Sequence, residues 1–566
     1  MHQYVADFET TPDPDDCRVW LWCLVNIDDI TDIKYGYNIK SFFDATMKGN
    51  NTIYFHNLKF DGQFLLWYAM HELNMEYSEN LEAGTINTLI NDSGTFYKIE
   101  MIYDRKGKKV DKTAFLDSYK KLPFKVKDIA IAFGLDVTKG EIDHKKPRPI
   151  GYKPDENELE YVTNDVLIVA KALKIQFEEG LTKMTMSSDG LNYCKNLITK
   201  TTWDTLFPVL SIEIDDQIRR SYKGGVVQVN PNIQGKEVFN GHSFDKNSMY
   251  PWAMLKTMPC GIPIFFTGRY KYDPEYPLYI QCINCEFKVK DGFIPTIQIK
   301  NSMSYAENKY ITESVEKTTL YLTNVDLELF FEHYEVYDYD FICGWKFKAV
   351  NGVFDAYVYK WYNQKKTSKG AKRQIAKLML NAFYGKTASR THIKSKIPYL
   401  DEEGIVRYRT TEEQLKKPVY TAVASFITSY GRESVIRSAQ SLGGTKPGSH
   451  FCYMDTDSVH VTNITVEECE KYIHVDPSEL GAWKHEYSFK RAKYLRQKCY
   501  IEELESVNDA SNPEYIKKCA GMTEDIKDVI QYGEFELGYT IDGMKLQPKN
   551  VRGGVILVPR PFSIKK

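Results

Sequence analysis

The stretch CYMDTDSVHVTN, residues 452–463, reads as two apolar strands meeting at a turn, yet it carries Asp455 and Asp457 with only Thr456 between them. Carboxylates at i and i+2 on an extended segment point to the same side and repel each other. A chain that keeps this pair must fold so that something positive reaches it. That requirement limits the acceptable architectures more than any other stretch.

Other acids stand in comparable settings. GHSFDKNSMYPWAM ends a short apolar segment at Asp245 and continues to Tyr250 and Pro251. The proline is expected to end the strand and to bias Tyr250 toward an extended backbone. A carboxylate at such a strand end suits a hard cation. Near the amino terminus, YVADFETT alternates like a strand, so Asp7 and Glu9 share a face. IYFHNLKFDGQFLLWY puts Asp61 just before an apolar helical run, and ELEYVTNDVLIVAKAL places Tyr161 and Asp165 one helical turn apart. Each acid alone reads as a surface or capping residue; their joint occurrence points to two acid sets. Two-metal chemistry explains both sets, with acids from several segments holding a pair of Mg²⁺ ions roughly 3.5–4 Å apart. Mn²⁺ suits the same oxygen ligands. Phosphoryl hydrolysis and nucleotidyl transfer need the same acids, so the reaction class stays open at this point.

The positive charge is as localised as the negative. From Trp361 to Arg390 the chain carries eight Lys or Arg and no acid, although the net charge of the whole is only −2. A helix over about Lys369 to Tyr384 would align Arg373, Lys377, Asn381 and Tyr384 on one arc. Ile375, Leu378, Met379 and Ala382 would form the packed face opposite. Cations at helical spacing disfavour an isolated helix, so an anionic partner is the economical explanation against a merely solvated basic face. A second cluster, SFKRAKYLRQKCY, interleaves Lys490, Arg491, Lys493, Arg496 and Lys498 with Phe489, Tyr494 and Tyr500. Cations for phosphates and aromatic faces for bases describe a nucleic-acid surface.

The length of 566 residues exceeds one hydrophobic core and suggests about three or four domains. With 43% apolar and 27% charged residues the chain reads as soluble and globular, and no stretch approaches the apolar length of a membrane span. The opening MHQYVADFETT lacks a basic and an apolar region, so no signal peptide is expected. Eleven scattered cysteines argue for a reducing compartment. Cys282 and Cys285 form a CxxC with no second ligand pair at zinc spacing, and read as two cysteines on a strand.

The order of these motifs resembles the family B DNA polymerases. DFET (Asp7, Glu9), NLKFDG (Asn57, Asp61) and YVTND (Tyr161, Asp165) are similar to the three motifs of a proofreading 3′–5′ exonuclease domain. DKNSMYP, KLMLNAFYGK and YMDTDS resemble polymerase motifs A, B and C, and KCY at 498–500 resembles KxY. YKGG (Tyr222, Gly224, Gly225) and TSYGR (Thr428 to Arg432) are similar to motifs of the protein-primed branch, and the long gaps around motif B fit its two insertions. NVDLELFFEHYEV, KRAKYLRQK and CAGMT extend the likeness over essentially the whole chain.

The resemblance implies an α+β and α/β multidomain fold. An RNase H-like 3′–5′ exonuclease domain (1–185) would precede a right-hand family B polymerase domain. That domain would comprise palm (186–295 and 416–525), first insertion (296–352), fingers (353–388), second insertion (389–415) and thumb (526–566). The second insertion, around IPYLDEEGIVRYRT, also reads as a β-hairpin. The basic, strand-like KLQPKNVRGGVILVPRPFSIKK suits a thumb against duplex DNA.

The resemblance also implies residue roles. Asp245 and Asp457 would hold metal beside Asp455, while Lys365 and Lys377 would meet the incoming triphosphate. Asn381 would line the nucleotide site, Tyr384 would pack on the nascent base pair, and Tyr250 would exclude a 2′-OH by sterics. Lys498 and Tyr500 would hold the primer end, with Arg496, Thr428 and Arg432 also on DNA, and Tyr222, Gly224 and Gly225 on template. In the exonuclease, Asp7, Glu9, Asp61 and Asp165 would bind Mg²⁺, two ions in each active site. Tyr161 would orient water, Lys139 would support it, and Thr10, Asn57, Phe60, Phe64 and Ser118 would hold a single-stranded 3′ end.

Three positions depart from the family pattern: Ala382, Met249, and His144 beside the exonuclease acids, where a histidine could alter the pH response. The partners implied are primer-template and single-stranded DNA, dNTPs, and a terminal protein that primes synthesis in a heterodimer. The chain would otherwise be a monomer with no membrane contact, processive and strand-displacing on a linear phage genome, in the cytoplasm of an infected bacterium. A nuclease that only grips DNA with its second half would have no use for Asp245, Lys377 and Asp457. A non-enzymatic scaffold would not keep two acid sets, and an RNA-copying polymerase would find Tyr250 obstructive. A DNA-primed family B enzyme, differing in the two insertions, is the alternative that stays open.

Overall fold

The computed structural model describes residues 2–80, 82–298, 310–505 and 514–565. Among them, the amino-terminal part is built on an eight-stranded sheet with His2–Thr10 near its middle. That strand pairs antiparallel with Val19–Asn26 and parallel with Asn50–Phe55, which continues parallel to Lys109–Asp117. Parallel strands need cover on both faces, and the alternation along His2–Thr10 supplies it. Val5 packs with Val162 and Val166 of the helix Glu156–Glu178, while Ala6 and Phe8 pack with Phe64 and Leu65 of the helix Leu58–His71. The long helix starts at a capping box, in which Asp155 and Glu158 each accept the other's backbone N–H.

A seven-stranded antiparallel sheet forms the second body. Its order is Tyr515–Cys519, Cys499–Leu504, Trp483–Arg496, Glu237–Lys246, Ser458–Thr462, Phe451–Asp455, Val227–Val229. The buried helix Thr421–Ser441 backs it, with Val435 and Ile436 against Met454, Val459 and Val461. The helices Asp355–Thr367 and Gly370–Ala382 rise beside it and share a core with Met186, Cys194, Trp203 and Phe207.

One sheet spans an expected boundary. A four-stranded sheet runs Met258–Thr267, Tyr334–Val350, Leu278–Val289, Thr318–Thr323. The 17-residue strand Tyr334–Val350 pairs along both edges. This joins two strands from the stretch expected as palm to two from the stretch expected as the first insertion. Residues 299–309 of that insertion lie outside the described residues. Cys282 and Cys285 do sit on one strand, Leu278–Val289, and are free.

The stretch IPYLDEEGIVRYRT forms its hairpin, Lys396–Leu400 against Val406–Thr410, with Asp401 accepting the N–H groups of Glu403 and Ile405 in the turn. The carboxy-terminal strands Thr540–Val551 and Gly554–Ser563 form a longer one. Its tip reaches the first body: a Cβ on Gly553 would lie 2.1 Å from the Cys17 carbonyl oxygen, and one on Gly554 2.3 Å from the Phe64 ring. Gln63 joins all three parts, its Oε1 accepting from Tyr408 Oη at 2.7 Å and Asn550 Nδ2 at 2.8 Å. Among the described residues no helix is long and apolar enough to cross a membrane.

Candidate active sites

The first acid set gathers where the His2–Thr10 strand, the start of Leu58–His71 and the middle of Glu156–Glu178 converge. Asp7 and Glu9 project from one face of the strand, and Asp61 lies in the first turn of its helix rather than before it. Tyr161 and Asp165 share the inner face of the long helix. Glu9, Asp61 and Asp165 are less than one-tenth exposed. Burial, then the neighbouring Asp165 charge, pushes Asp7 up to about 7. Burial followed by the Asp7 charge raises Glu9 and Asp61 well above the usual carboxylate range, and burial raises Asp165.

Lys139 pairs with Asp165 Oδ2 and lies 5.0 Å from the Tyr161 ring centroid. Although burial works against its charge, the Asp165 carboxylate holds this ammonium above the usual lysine range. Asp165 Oδ1 is buried and has no partner. Burial, with the cations of Arg148 and Lys139, keeps His144 below the usual imidazole range; its Nδ1 stands 3.8 Å from Glu9 Oε2.

Three buried carboxylates and the half-buried Asp7, facing one lysine, carry more negative charge than the protein neutralises, and the unsatisfied Asp165 oxygen is a hard donor. Charge and donor type therefore fit a divalent cation. Among the described residues no three His, Cys, Asp or Glu side chains converge into a closed coordination sphere. The fit is one of chemistry rather than of a preformed cage.

The second acid set lies at the end of the antiparallel sheet. Asp245 is the penultimate residue of the strand Glu237–Lys246, and Asp455 closes Phe451–Asp455. Thr456 turns the chain with φ of 62°, a left-handed backbone that is costly for a β-branched residue. The Lys246 N–H donates to the Asp457 carbonyl at 2.7 Å, which sets Asp457 beside Asp245. Burial and then the Asp457 charge push Asp245 up to about 7, and burial raises Asp457 as well.

The cation that meets Asp455 is Lys498, whose ammonium contacts Asp455 Oδ1 directly. Tyr453 Oη donates to Asp455 Oδ2 at 3.1 Å and accepts the Lys498 N–H at 3.1 Å. Asp245 and Asp457 have no such direct ion pair among the described residues. Glu486, an exposed acid on the next strand, adds its negative charge to theirs. Sequence reading missed Glu486; the irregular ladder between Glu237–Lys246 and Trp483–Arg496, in which Asp245 faces Lys484, brings it here, and no local pattern signals that register.

The helix Gly370–Ala382 presents Arg373, Lys377 and Asn381 outward, and buries Ile375, Ala376, Met379 and Leu380. Leu378 and Ala382, read as packed, are only half-buried. The helix stops at Ala382, so Tyr384 begins a separate short turn. Burial, then Lys377 and Arg373, lowers Lys365, whose Nζ donates to Ser248 Oγ at 3.0 Å. Three cations crowd together beside Asp245.

Tyr250 is helical, not extended: Ser248 caps a short helix, Met249–Met254, and Pro251 sits in its first turn, where a missing N–H costs nothing. That turn aims the Tyr250 ring at Tyr384, with centroids 4.1 Å apart.

The loop with Tyr222, Gly224 and Gly225 crosses this site. A Cβ on Gly225 would stand 2.8 Å from Thr456 Cγ2, so glycine is what lets the loop lie on the acidic turn. Arg432 holds the loop from beneath, donating to the Lys223 and Gly224 carbonyls at 2.7 and 2.9 Å while pairing with Asp326 at 2.6 Å.

The other residues expected on DNA have these surroundings. Thr428 is buried and bonds helix carbonyls, and Arg432 is spent on its loop. Phe64 is fully buried beside Gly554, and Ser118 is buried with its Oγ donating to the Phe55 carbonyl at 3.0 Å. Arg496 donates to the Lys565 carbonyl at 3.1 Å. Of the basic cluster at 488–500, Lys490 and Arg491 pair with Glu503 and Lys493 with Glu536, while Phe489, Tyr494 and Tyr500 are buried. The cluster builds the sheet with its aromatics and delivers Lys498 to Asp455, while Lys490 stays exposed. Asn57 is exposed and Phe60 half-buried along a cavity of about 360 Å³ that also meets Lys59, Lys396 and Tyr408. Thr10 is half-buried at the end of its strand.

Two acid clusters on separate bodies of a mixed α/β chain suit a polymerase with two sites, and the match of chain and fold shows which class it is. Residues 44–151 and 145–474 match the family of DNA polymerase type B, organellar and viral, and the chain belongs to that family. It is 44% identical, over 99% of both chains, to the DNA polymerase of Bacillus phage phi29. The solved phi29 DNA polymerase complexed with primer-template DNA and incoming nucleotide substrates superposes over 100% of both chains, with 43% identity and a TM-score of 0.93. The phi29 enzyme complexed with single-stranded DNA does so with 42% identity and a TM-score of 0.93.

Proposed function

We propose that this DNA polymerase copies DNA from a template and proofreads with a 3′–5′ exonuclease, starting chains from a nucleotide carried by a priming protein. The observation that carries the reading is the separation of two acid sets, only one of which faces a crowd of unpaired cations. A basic face beside acids suits a triphosphate that must lose pyrophosphate; acids with a single lysine suit hydrolysis at a chain end. The relatives' binding of primer-template, single-stranded DNA and nucleotides supports the same division.

In the polymerase site Asp245 and Asp457 would hold Mg²⁺ or Mn²⁺, and in the exonuclease Asp7, Glu9, Asp61 and Asp165 would. When bound, a metal pair supplies charge stabilisation to the attacking and leaving oxygens at phosphorus. Lys365, Arg373 and Lys377 neutralise the triphosphate as pyrophosphate charge develops. Tyr250, braced by Tyr384, blocks the space a 2′-OH would need. Lys498 steadies Asp455 next to the primer end. In the exonuclease, burial followed by the Asp165 and Glu9 charges keeps Tyr161 up at about 12, so it stays a phenol at neutral pH. It orients water through a hydrogen bond rather than deprotonating it.

The meeting of the Lys396–Thr410 hairpin, the carboxy-terminal hairpin and Gln63 supports closure around DNA, hence processivity and strand displacement without a separate clamp or helicase. The phage relatives support a place of action in an infected bacterial cell.

Separation-of-function variants test the division. Asp457→Asn should abolish primer extension and leave degradation of a labelled single strand intact, and Asp61→Asn should do the reverse. Loss of both activities in either variant would contradict it.

A further inference from the structure

The outer edge of the seven-stranded sheet carries two cysteines at facing positions. Cys499, in Cys499–Leu504, is the ladder partner of Cys519, the last residue of Tyr515–Cys519. The Leu504 N–H donates to the Glu514 carbonyl at 2.9 Å, which makes 504 and 514 a hydrogen-bonded pair. Counting by twos along an antiparallel ladder puts 502/516 and 500/518 in the same class and 499/519 in the alternate one. Facing Cα atoms in that class stand about 4.5 Å apart, within the span a disulfide bridges. The two thiols lie within hydrogen-bonding reach of each other, and Arg496 Nη2 donates to Cys519 Sγ at 3.9 Å. Cys499 is fully buried, whereas Cys519 is partly exposed.

We propose that Cys499 and Cys519 form a peroxide-sensitive dithiol, with Cys519 as the reacting thiolate and Cys499 as the resolving thiol. The hydrogen bond from Cys499, joined by the Arg496 charge, brings Cys519 down to about 7, and the same bond together with burial holds Cys499 far above the thiol range. The Cys519 thiolate attacks one oxygen of hydrogen peroxide, the O–O bond breaks, and hydroxide leaves to give a sulfenic acid. The Cys499 sulfur then attacks Cys519 sulfur, the S–O bond breaks, and the thiol proton departs with the oxygen as water. In sum two thiols lose two electrons and two protons, and one peroxide becomes two waters. The bridge ties the strand that carries Tyr500 and directly follows Lys498 to the strand Tyr515–Cys519, upstream of the carboxy-terminal hairpin. A second facing pair, Cys282 and Cys343, lacks this activation: burial holds the Cys282 thiol above its usual range.

The test uses the full-length protein, treated with near-stoichiometric hydrogen peroxide at neutral pH, capped with N-ethylmaleimide and mapped by mass spectrometry of unreduced peptides. The expected first product is the Cys499–Cys519 linkage, ahead of Cys282–Cys343. Cys499→Ser should stop at a Cys519 sulfenic acid that dimedone traps. Arg496→Gln should slow linkage by about twofold, since a one-unit rise from about 7 loses about fivefold in thiolate at neutral pH and regains about threefold in nucleophilicity. Linkage or oxidation elsewhere first, or an unchanged rate in Arg496→Gln, would overturn the assignment.

Discussion

Asp455 and Asp457 are two residues apart, yet their charges are met differently. Lys498 neutralises Asp455, while Asp457 faces Asp245 and Glu486. The cost of that crowding should be measurable without substrate. Because Asp245 and Asp7 are raised to about 7, the folded protein binds more protons than the unfolded chain between about pH 4 and 7. Their contribution to stability is present below the unfolded pKa and is lost as pH rises through 7. With metal chelated, Tm should therefore rise as pH falls from about 8 toward 5, and added Mg²⁺ should flatten the dependence. Asp245→Asn should stabilise the chelated protein at pH 8 by on the order of 1 kcal/mol; a thermal melt that shows a loss instead would remove the repulsion argument. Gly225→Ala should press a methyl onto Thr456, costing about 1–3 kcal/mol and slowing extension while sparing the exonuclease. At this scale the acids were legible because strand alternation and one-turn helix spacing are local rules. Lys498 on Asp455 and Glu486 near Asp245 were not, because a ladder register between distant segments sets them.

Elements show the same contrast. The basic face of Gly370–Ala382 could be read from periodicity, since nothing outside the helix decides which residues share an arc. The end of that helix could not, because Phe383 turns into the core and leaves Tyr384 free to meet Tyr250. The ion pairs of the 488–500 cluster were hidden for a related reason. Its cations find glutamates on neighbouring strands, and sequence spacing carries no record of those partners. Lys377→Ala should raise the KM for dNTPs by about tenfold with a smaller change in kcat; steady-state extension assays at varied dNTP would show an unchanged KM if the face were only solvated. The sheet that spans the expected boundary at 295/296 was hidden because one long strand, Tyr334–Val350, recruits neighbours on both edges, a tertiary choice no local pattern announces.

At the scale of the whole molecule, contacts between bodies matter most. Motif order resembling the family gave the two-body plan, but not where the carboxy-terminal hairpin would land. Its tip rests on Cys17 and Phe64, and one glutamine joins three parts. Gln63→Leu leaves two donors without their shared acceptor, about 1–3 kcal/mol at that junction. Products made in a single binding event, with heparin as trap, should shorten, and more so at higher salt. Product lengths equal to wild type would detach processivity from this junction. The most direct test of the account uses a 5′-labelled primer on a longer template with Mg²⁺, with and without dNTPs. Lengthening with dNTPs and shortening without them is the predicted result. Shortening in both lanes would contradict the polymerase assignment of Asp245 and Asp457, and lengthening without any shortening would contradict the exonuclease assignment of Asp7, Glu9, Asp61 and Asp165.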